Sequence, residues 1–278
     1  MSADGEVDRY AVVGNPVAHS LSPKIHTEFA HQTAQQLSYE AIELASDAFA
    51  AGIDRLQRRG YRGLNVTVPF KREAWELCHS LSARAEVAGA VNTLSLQADG
   101  SIHGDNTDGV GLVRDLIDNL KIKIQGQNVL LLGAGGAARG VLGPLLALSP
   151  AQLTIANRSI DRANALASDF TSSGKIEVVA YDQFSNESYH LIINATAAGL
   201  SHQLPPIPAS LLDPAGVCYD MMYDINKATD FVEWSVSQGV KQSFDGLGML
   251  VEQAAEAFFL WRGVRPETGK LMRMLRTA

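Results

Sequence analysis

Apolar and polar positions along this chain follow two alternating periods. Short runs rich in β-branched residues give way to longer stretches with helical spacing, and the alternation occurs twice. In the first stretch, residues 10–13 form a β-branched run stopped by Gly14-Asn15-Pro16, which predicts a strand and a turn. Ser22-Pro23 predicts a helix start, with Ser22 as N-cap and Pro23 at the first helical position, and the helix runs to about residue 37. Residues 39–44 read as a second strand, Ser46 as the opening of a second helix, and residues 63–68 as a third strand stopped by Pro69. Strands alternating with helices imply parallel pairing. Residues 90–96 and 101–105 flank Ala98-Asp99-Gly100, the pattern of a hairpin.

A helix over about 108–119 and a polar junction at 121–127 lead into the second stretch. Residues 129–132 are continuously apolar, as expected of a strand buried on both faces. Further strands are expected at 153–155, 176–179, 191–194 and 217–219, with helices between several of them, so this half reads as a doubly wound sheet. Helical spacing returns over 248–261, ended by Gly263, and again over 267–275. The expected fold class is α/β.

Composition narrows the function. The chain has 278 residues, of which 46% are hydrophobic and 19% charged, enough for two modest domains or one large one. A formal net charge of -7 argues against non-specific nucleic-acid binding but leaves room for a small anion in a local basic pocket. Met1 to Val7 is polar and acidic, unlike a signal peptide, and no apolar run approaches the length of a membrane span. Cys78 and Cys218 lack metal-ligand spacing and read as reduced core residues of a cytoplasmic protein.

Gly133-Ala134-Gly135-Gly136-Ala137-Ala138 follows the apolar strand and opens a helix, fitting G-x-G-x-x-G/A. Glycines there permit a tight turn and let a pyrophosphate approach the backbone at a helix N-terminus. The next strand ends in Asn157-Arg158-Ser159, with Arg162 beyond it, where an NAD site usually carries an acid. A guanidinium suits a ribose 2′-phosphate, so the expected cofactor is NADP. Thr196, in Asn194-Ala195-Thr196, either lines the same crevice or is a plain turn residue.

Small polar groups are dense in five other clusters: Ser20-Leu21-Ser22-Pro23, Asn65 to Lys71, Ala90-Val91-Asn92-Thr93, Gly104 to Gly109, and Gly246 to Gln253. Asn65 and Thr67 fall on one face of a strand expected to be buried, where polar groups need partners, a polyol ligand being one. In order and spacing these clusters resemble the signatures of shikimate dehydrogenases, from Val13 to Trp261.

The resemblance implies an N-terminal substrate domain over 1–110, completed by 246–278, and a Rossmann-like NADP domain over 111–245. It implies NADPH-dependent reduction of 3-dehydroshikimate to shikimate, with a small-molecule substrate, no nucleic-acid or membrane partner, and a monomer or homodimer. By position, Ser20 and Ser22 would bind the substrate carboxylate, and Asn65, Thr67, Asn92 and Gln253 the ring hydroxyls. Lys71 and Asp108 would be the catalytic pair. Met221 and Tyr223, around Asp220-Met221-Met222, and Gly246 would face substrate and nicotinamide. Taken singly, Lys71 reads as a solvated lysine, Asp108 as a helix cap, and Asn65 and Asn92 as turn or core residues; the joint pattern lifts them together. Two departures stand out. Ala197-Ala198-Gly199 replaces the serines common in the family, and Thr229-Asp230 replaces Thr-Pro. The rival activities are quinate or dual-specificity dehydrogenation and a non-catalytic NADP-binding regulator.

Overall fold

The computed structural model describes residues 7–171, 174–185 and 188–277. The acidic start weighed above lies, except for Val7, outside the described residues. Two compact units share the chain. The first contains residues 1–111 and 251–273, the second residues 112–250 and 274–278.

In the first unit, β1 (Asp8–Gly14), α1 (Ser22–Gln32), β2 (Leu37–Glu43), α2 (Phe49–Arg58) and β3 (Tyr61–Val66) form the parallel part. They are followed by α3 (Lys71–Leu77), β4 (Ser80–Leu81), α4 (Ala83–Ala88), β5 (Thr93–Leu96) and β6 (Ile102–Asp105). Among the described residues the sheet order is β2-β1-β3-β5-β6-β4, with β1 parallel to β2 and β3, and β5 antiparallel to both β3 and β6. The expected hairpin is present, closed by the Gln97 N–H to Ser101 C=O bond. Its core packs Val13, Ile53, Leu64, Phe70, Ala85 and Val91.

Three local readings change. The first helix stops at Gln32, and Leu37 opens the second strand, because β2 pairs with β1 from Asp8 onward and recruits Leu37 and Ser38 into the ladder. The second helix begins at Phe49 rather than Ser46, since Phe49 is the first apolar residue of the face that buries Ile53 and Leu56. Ser22 is not the N-cap of α1. Leu21 holds that position without a side-chain cap, and Ser20 Oγ instead accepts the Ser22 N–H at 3.2 Å.

The chain continues through α5 (Asp108–Arg114), which passes into a π-helical turn over Asp115–Asn119 rather than staying α-helical. The second unit then runs β7 (Asn128–Leu132), α6 (Gly136–Ala147), β8 (Gln152–Ala156), α7 (Ile160–Ser168), β9 (Ile176–Val179), β10 (Tyr189–Asn194), β11 (Leu212–Asp220), α8 (Asp230–Ser237) and β12 (Gln242–Phe244). Among the described residues its strands pair in parallel, in the order β12-β11-β10-β7-β8-β9. Counted within the unit this is 6-5-4-1-2-3, the doubly wound order whose direction reverses between β7 and β10. β12 went unpredicted: it is three residues long, with a half-buried Ser243 and Phe244 and no alternation to betray it. The α8 start at Thr229-Asp230 is held by its N-cap: the Thr229 hydroxyl accepts from the Val232 N–H at 3.4 Å. The final helices are α9 (Leu247–Arg262), ended at Gly263 with φ 68°, and α10 (Gly269–Arg276).

Candidate active site

Lys71 opens α3, an N-terminal position where the helix dipole disfavours a cation. Its ammonium is held by Asp108 Oδ2 at 2.5 Å. Asp108 opens α5, where the dipole favours a carboxylate, and its side chain is 8% exposed against 21% for Lys71. Backbone fixes both ends of the pair. The Val91 N–H donates to the Lys71 carbonyl at 2.9 Å, and the Asp108 N–H donates to Asn106 Oδ1 at 3.1 Å.

Asn92 lies between these segments. Its Nδ2 donates to Asp108 Oδ1 at 2.8 Å and to Thr107 Oγ1 at 3.0 Å, with Gln253 Oε1 at 3.4 Å. Its Oδ1 accepts from the Thr107 N–H at 2.9 Å and the Thr93 hydroxyl at 2.9 Å. The amide group is therefore occupied on both sides, and its first effect is to orient Asp108. Asn65 is held similarly: Nδ2 donates to the Asn92 carbonyl at 3.2 Å and Thr93 Oγ1 at 3.1 Å, while Oδ1 accepts from the Tyr39 hydroxyl at 2.7 Å. With both amide protons engaged, what remains for a ligand is acceptor capacity on Oδ1, which suits a hydroxyl donor. Thr67 lies one residue past β3 and is half-buried, so it does not share a buried strand face with Asn65.

Tyr39 was not anticipated. Its ring stacks on the His26 imidazole at 4.1 Å between centroids and 4° between planes. Burial pushes the Tyr39 phenol well up, partly offset by a hydrogen bond with Ser22. His26 is 1% exposed, and burial lowers its pKa to about 3, so it is a neutral ring. His19, on the turn before α1, is exposed.

In the second unit, Gly133 leaves β7 with φ 104°, and a Cβ there would lie 3.1 Å from the Ala195 carbonyl oxygen and 3.3 Å from Thr196 Cγ2. The loops after β7 and β10 thus touch at the switch point, where ligands of such sheets bind. Gly135 and Gly136 at the start of α6 are exposed, and a Cβ on either would meet nothing within 4 Å. Protein packing does not require glycine there. The space beside these glycines lets a pyrophosphate approach the first turn of α6, whose N–H groups have no intrahelical acceptor, so these residues fit a dinucleotide. Ala134 and Ala137 flank them, half-buried. Asn157 Nδ2 donates to the Ser159 carbonyl at 2.9 Å, closing the turn that presents Arg158; Arg158 and Arg162 are both exposed. Arg158 lies near Tyr181, whose phenol burial pushes up and the Arg158 charge pulls down.

Thr196 is bound to its own loop: its N–H and hydroxyl both donate to Asn194 Oδ1, at 3.1 and 2.7 Å. Asn194 Nδ2 donates to Asp220 Oδ1 at 3.0 Å, and the Thr229 hydroxyl donates to Asp220 Oδ2 at 2.7 Å. Burial raises Asp220 to about pH 6, opposed by those bonds. The network fixes the β10 and β11 ends, and with them Met221 and Tyr223, both half-buried. Gly246 packs against this corner, where a Cβ would lie 2.4 Å from the Met221 carbonyl oxygen. Among the described residues no cluster of three or more His, Cys, Asp or Glu could hold a metal, and no helix is long and apolar enough to cross a membrane.

Three family models match this chain. The shikimate dehydrogenase substrate binding domain covers residues 12–94, shikimate/quinate 5-dehydrogenase covers 115–202, and the shikimate 5′-dehydrogenase C-terminal domain covers 246–275. The chain is 53% identical over 270 residues to a shikimate dehydrogenase (NADP(+)) of Thioalkalivibrio sulfidiphilus, covering 97% of this chain and 98% of the relative. It is 53% identical over 273 residues to the protein of that name from Aromatoleum aromaticum, with 97% of each chain covered. Among solved structures, shikimate 5-dehydrogenase from Thermus thermophilus, in complex with NADP(H) and shikimate, superposes with a TM-score of 0.86 at 34% identity, covering 97% of this chain and 99% of that one.

Proposed function

Because the chain belongs to the shikimate dehydrogenase family, we propose that it catalyses the reversible NADPH-dependent reduction of 3-dehydroshikimate to shikimate, a step of aromatic amino acid biosynthesis. The observation that carries the chemistry is the Lys71–Asp108 contact at 2.5 Å, with Asn92 on the second carboxylate oxygen.

Bound NADPH supplies a hydride to the substrate carbonyl carbon. The ammonium of Lys71 stabilises the negative charge that grows on the oxygen and, with Asp108, delivers the proton that completes the alcohol. Protonation belongs to the pair, since coupled groups share their titration. Asn92 fixes the Asp108 carboxylate. Asn65, Thr67 and Gln253 take the ring hydroxyls and Ser20 and Ser22 the carboxylate; in the second unit Tyr223 is assigned to the substrate. On the cofactor side, Gly133 to Ala137 take the pyrophosphate, Asn157, Arg158, Ser159 and Arg162 the ribose phosphate, and Thr196, Met221 and Gly246 the nicotinamide end. In this reading residues 1–110 with 246–278 serve the substrate and 111–245 the cofactor. The enzyme acts in the cytoplasm as a monomer or homodimer. Cys78 and Cys218, both free and both raised to about 12 by burial, suit a reducing compartment.

The test is a steady-state comparison of shikimate and quinate with NADP and NAD. Shikimate with NADP should give the highest kcat/KM; quinate exceeding shikimate would overturn the assignment. Arg158→Ala should weaken NADP by about 1.5–3 kcal/mol, the scale of a hydrogen bond to a charged group, and leave NAD nearly unchanged. Equal weakening of both cofactors would make Arg158 structural.

A further inference from the structure

Arg84, on α4, belongs to none of the clusters that the sequence singles out. Its guanidinium grips Asp105 with two parallel bonds, Nε to Oδ1 at 2.6 Å and Nη2 to Oδ2 at 2.9 Å, and its Nη1 reaches Glu256 Oε1 at 3.1 Å. The Asp105 carboxylate is 7% exposed and that of Glu256 9%. Glu256 Oε2 accepts from Arg265 at 2.6 Å, and Asp105 Oδ1 also accepts from the Ser82 hydroxyl and the Asn106 N–H, both at 2.6 Å. Two buried carboxylates on separate elements, β6 and α9, thus converge on one fork.

Each carboxylate leads to the site. From Asp105 the path is short: its carbonyl accepts the Asn92 N–H at 3.0 Å, Asn106 Nδ2 donates to the Ala90 carbonyl at 3.0 Å, and Asn106 Oδ1 accepts the Asp108 N–H at 3.1 Å. From Glu256 the path runs one helical turn back to Gln253, whose Oε1 accepts from the Thr107 hydroxyl at 3.3 Å. A loop that must present Asp108 to Lys71, and a helix that must present Gln253 beside it, are therefore joined behind the site by one side chain.

We propose that Arg84 is a positioning residue for the Lys71–Asp108 pair: its guanidinium holds residues 105–108 and helix α9 in register so that Asp108 stays against Lys71. The proposal rests on the function given above and deepens it. Lysine at this position keeps the charge but not the planar fork, so it cannot satisfy both carboxylates in the same geometry.

The experiment is a double-mutant cycle in the full chain. Arg84→Ala should lower kcat by about 10- to 100-fold, as expected when a reacting group is misplaced. In an Asp108→Asn background the same change should cost less than about twofold, because the group being positioned is already disabled. Added guanidinium chloride at non-denaturing concentration should restore part of the kcat of Arg84→Ala, and sodium chloride at equal ionic strength should not. If Arg84→Ala does not fold, Arg84→Lys runs the same cycle. Equal factors in both backgrounds, or a folded Arg84 variant within threefold of the parent kcat, overturn the proposal while leaving the parent activity intact. Absence of shikimate turnover by the parent overturns the functional reading itself, and the proposal with it.

Discussion

In the first unit the catalytic carboxylate sits in a buried polar network: Asn65, Asn92, Asp108 and the neighbouring Thr107 are all buried and bound to one another, with Lys71 half-buried at its edge. In the second unit four of the residues assigned to the cofactor, Arg158, Arg162, Gly135 and Gly136, are exposed, while Gly133 and Gly246 are buried turn glycines. The first site is built from side chains that fix each other before any ligand arrives; the glycine loop of the second is built from backbone and from the absence of side chains. The difference follows from the tasks. Moving a proton requires a carboxylate and an ammonium held to fractions of an ångström, which a saturated buried network supplies. A pyrophosphate asks only for several N–H groups and room to approach them.

The largest effect should come from the side-chain site. Lys71→Ala should lower turnover about 10² to 10⁴-fold, the range for a lost acid-base group, with cofactor binding intact. Steady-state assays beside a cofactor titration decide. Turnover within threefold of the parent would mean that the pair is structural and that the contrast between the units is one of packing alone.

A second pair of substitutions probes what glycine does in each unit. At Gly104 a Cβ would lie 2.4 Å from Cys78 Sγ and 2.8 Å from Val91 Cγ2, in the core under the Asn92 segment. Gly104→Ala should destabilise by about 1–3 kcal/mol, the usual cost of overpacking. Gly135 has φ -94°, open to any residue, and nothing near its missing Cβ. Gly135→Ala should leave the melting temperature unchanged or slightly higher and weaken NADP binding. Thermal melts and cofactor titrations on both variants sharpen the comparison; a stability loss at Gly135 would make the glycine loop structural.

The same contrast explains what could be read from the chain. A dinucleotide loop carries a general physical signature, glycines between an apolar strand and a helix, so Gly133 to Ala138 stood out as a candidate without reference to any family. The buried polar network has no such signature. Asn92 and Asn65 read singly as turn or core residues because most of their partners come from segments 15 to 28 positions away, and Gln253 from 161. Arg84 and Tyr39 gave no signal at all: a single arginine in a short helix and a tyrosine in a strand are ordinary until Asp105, Glu256 and Asn65 are brought to them. The doubly wound character of the second unit followed from the alternation of elements, whereas β12 and the π-helical turn at Asp115–Asn119 depend on packing that no local pattern encodes.

The smallest effect, and the one that separates capping from binding, lies at the start of α1. Sequence alone puts the cap at Ser22, but the acceptor is Ser20 Oγ, which takes the Ser22 N–H at 3.2 Å, while Ser22 itself is buried at 6% exposure beside Tyr39. Ser20→Ala removes that acceptor and should cost about 0.5 kcal/mol, the low end for a lost cap, since the bond is long. Ser22→Ala leaves the acceptor in place, so any loss of stability there must come from its buried hydroxyl and not from the helix end. Both variants should raise the KM for shikimate if the two hydroxyls take its carboxylate. Thermal melts and substrate titrations on the pair read the two effects independently. A raised KM in both variants, with an unchanged melt at Ser22 and a small drop at Ser20, would place the helix-end hydrogen bond on Ser20 and carboxylate binding on both. An unchanged KM in both would move the carboxylate elsewhere and leave the side-chain site without its anchor at that end.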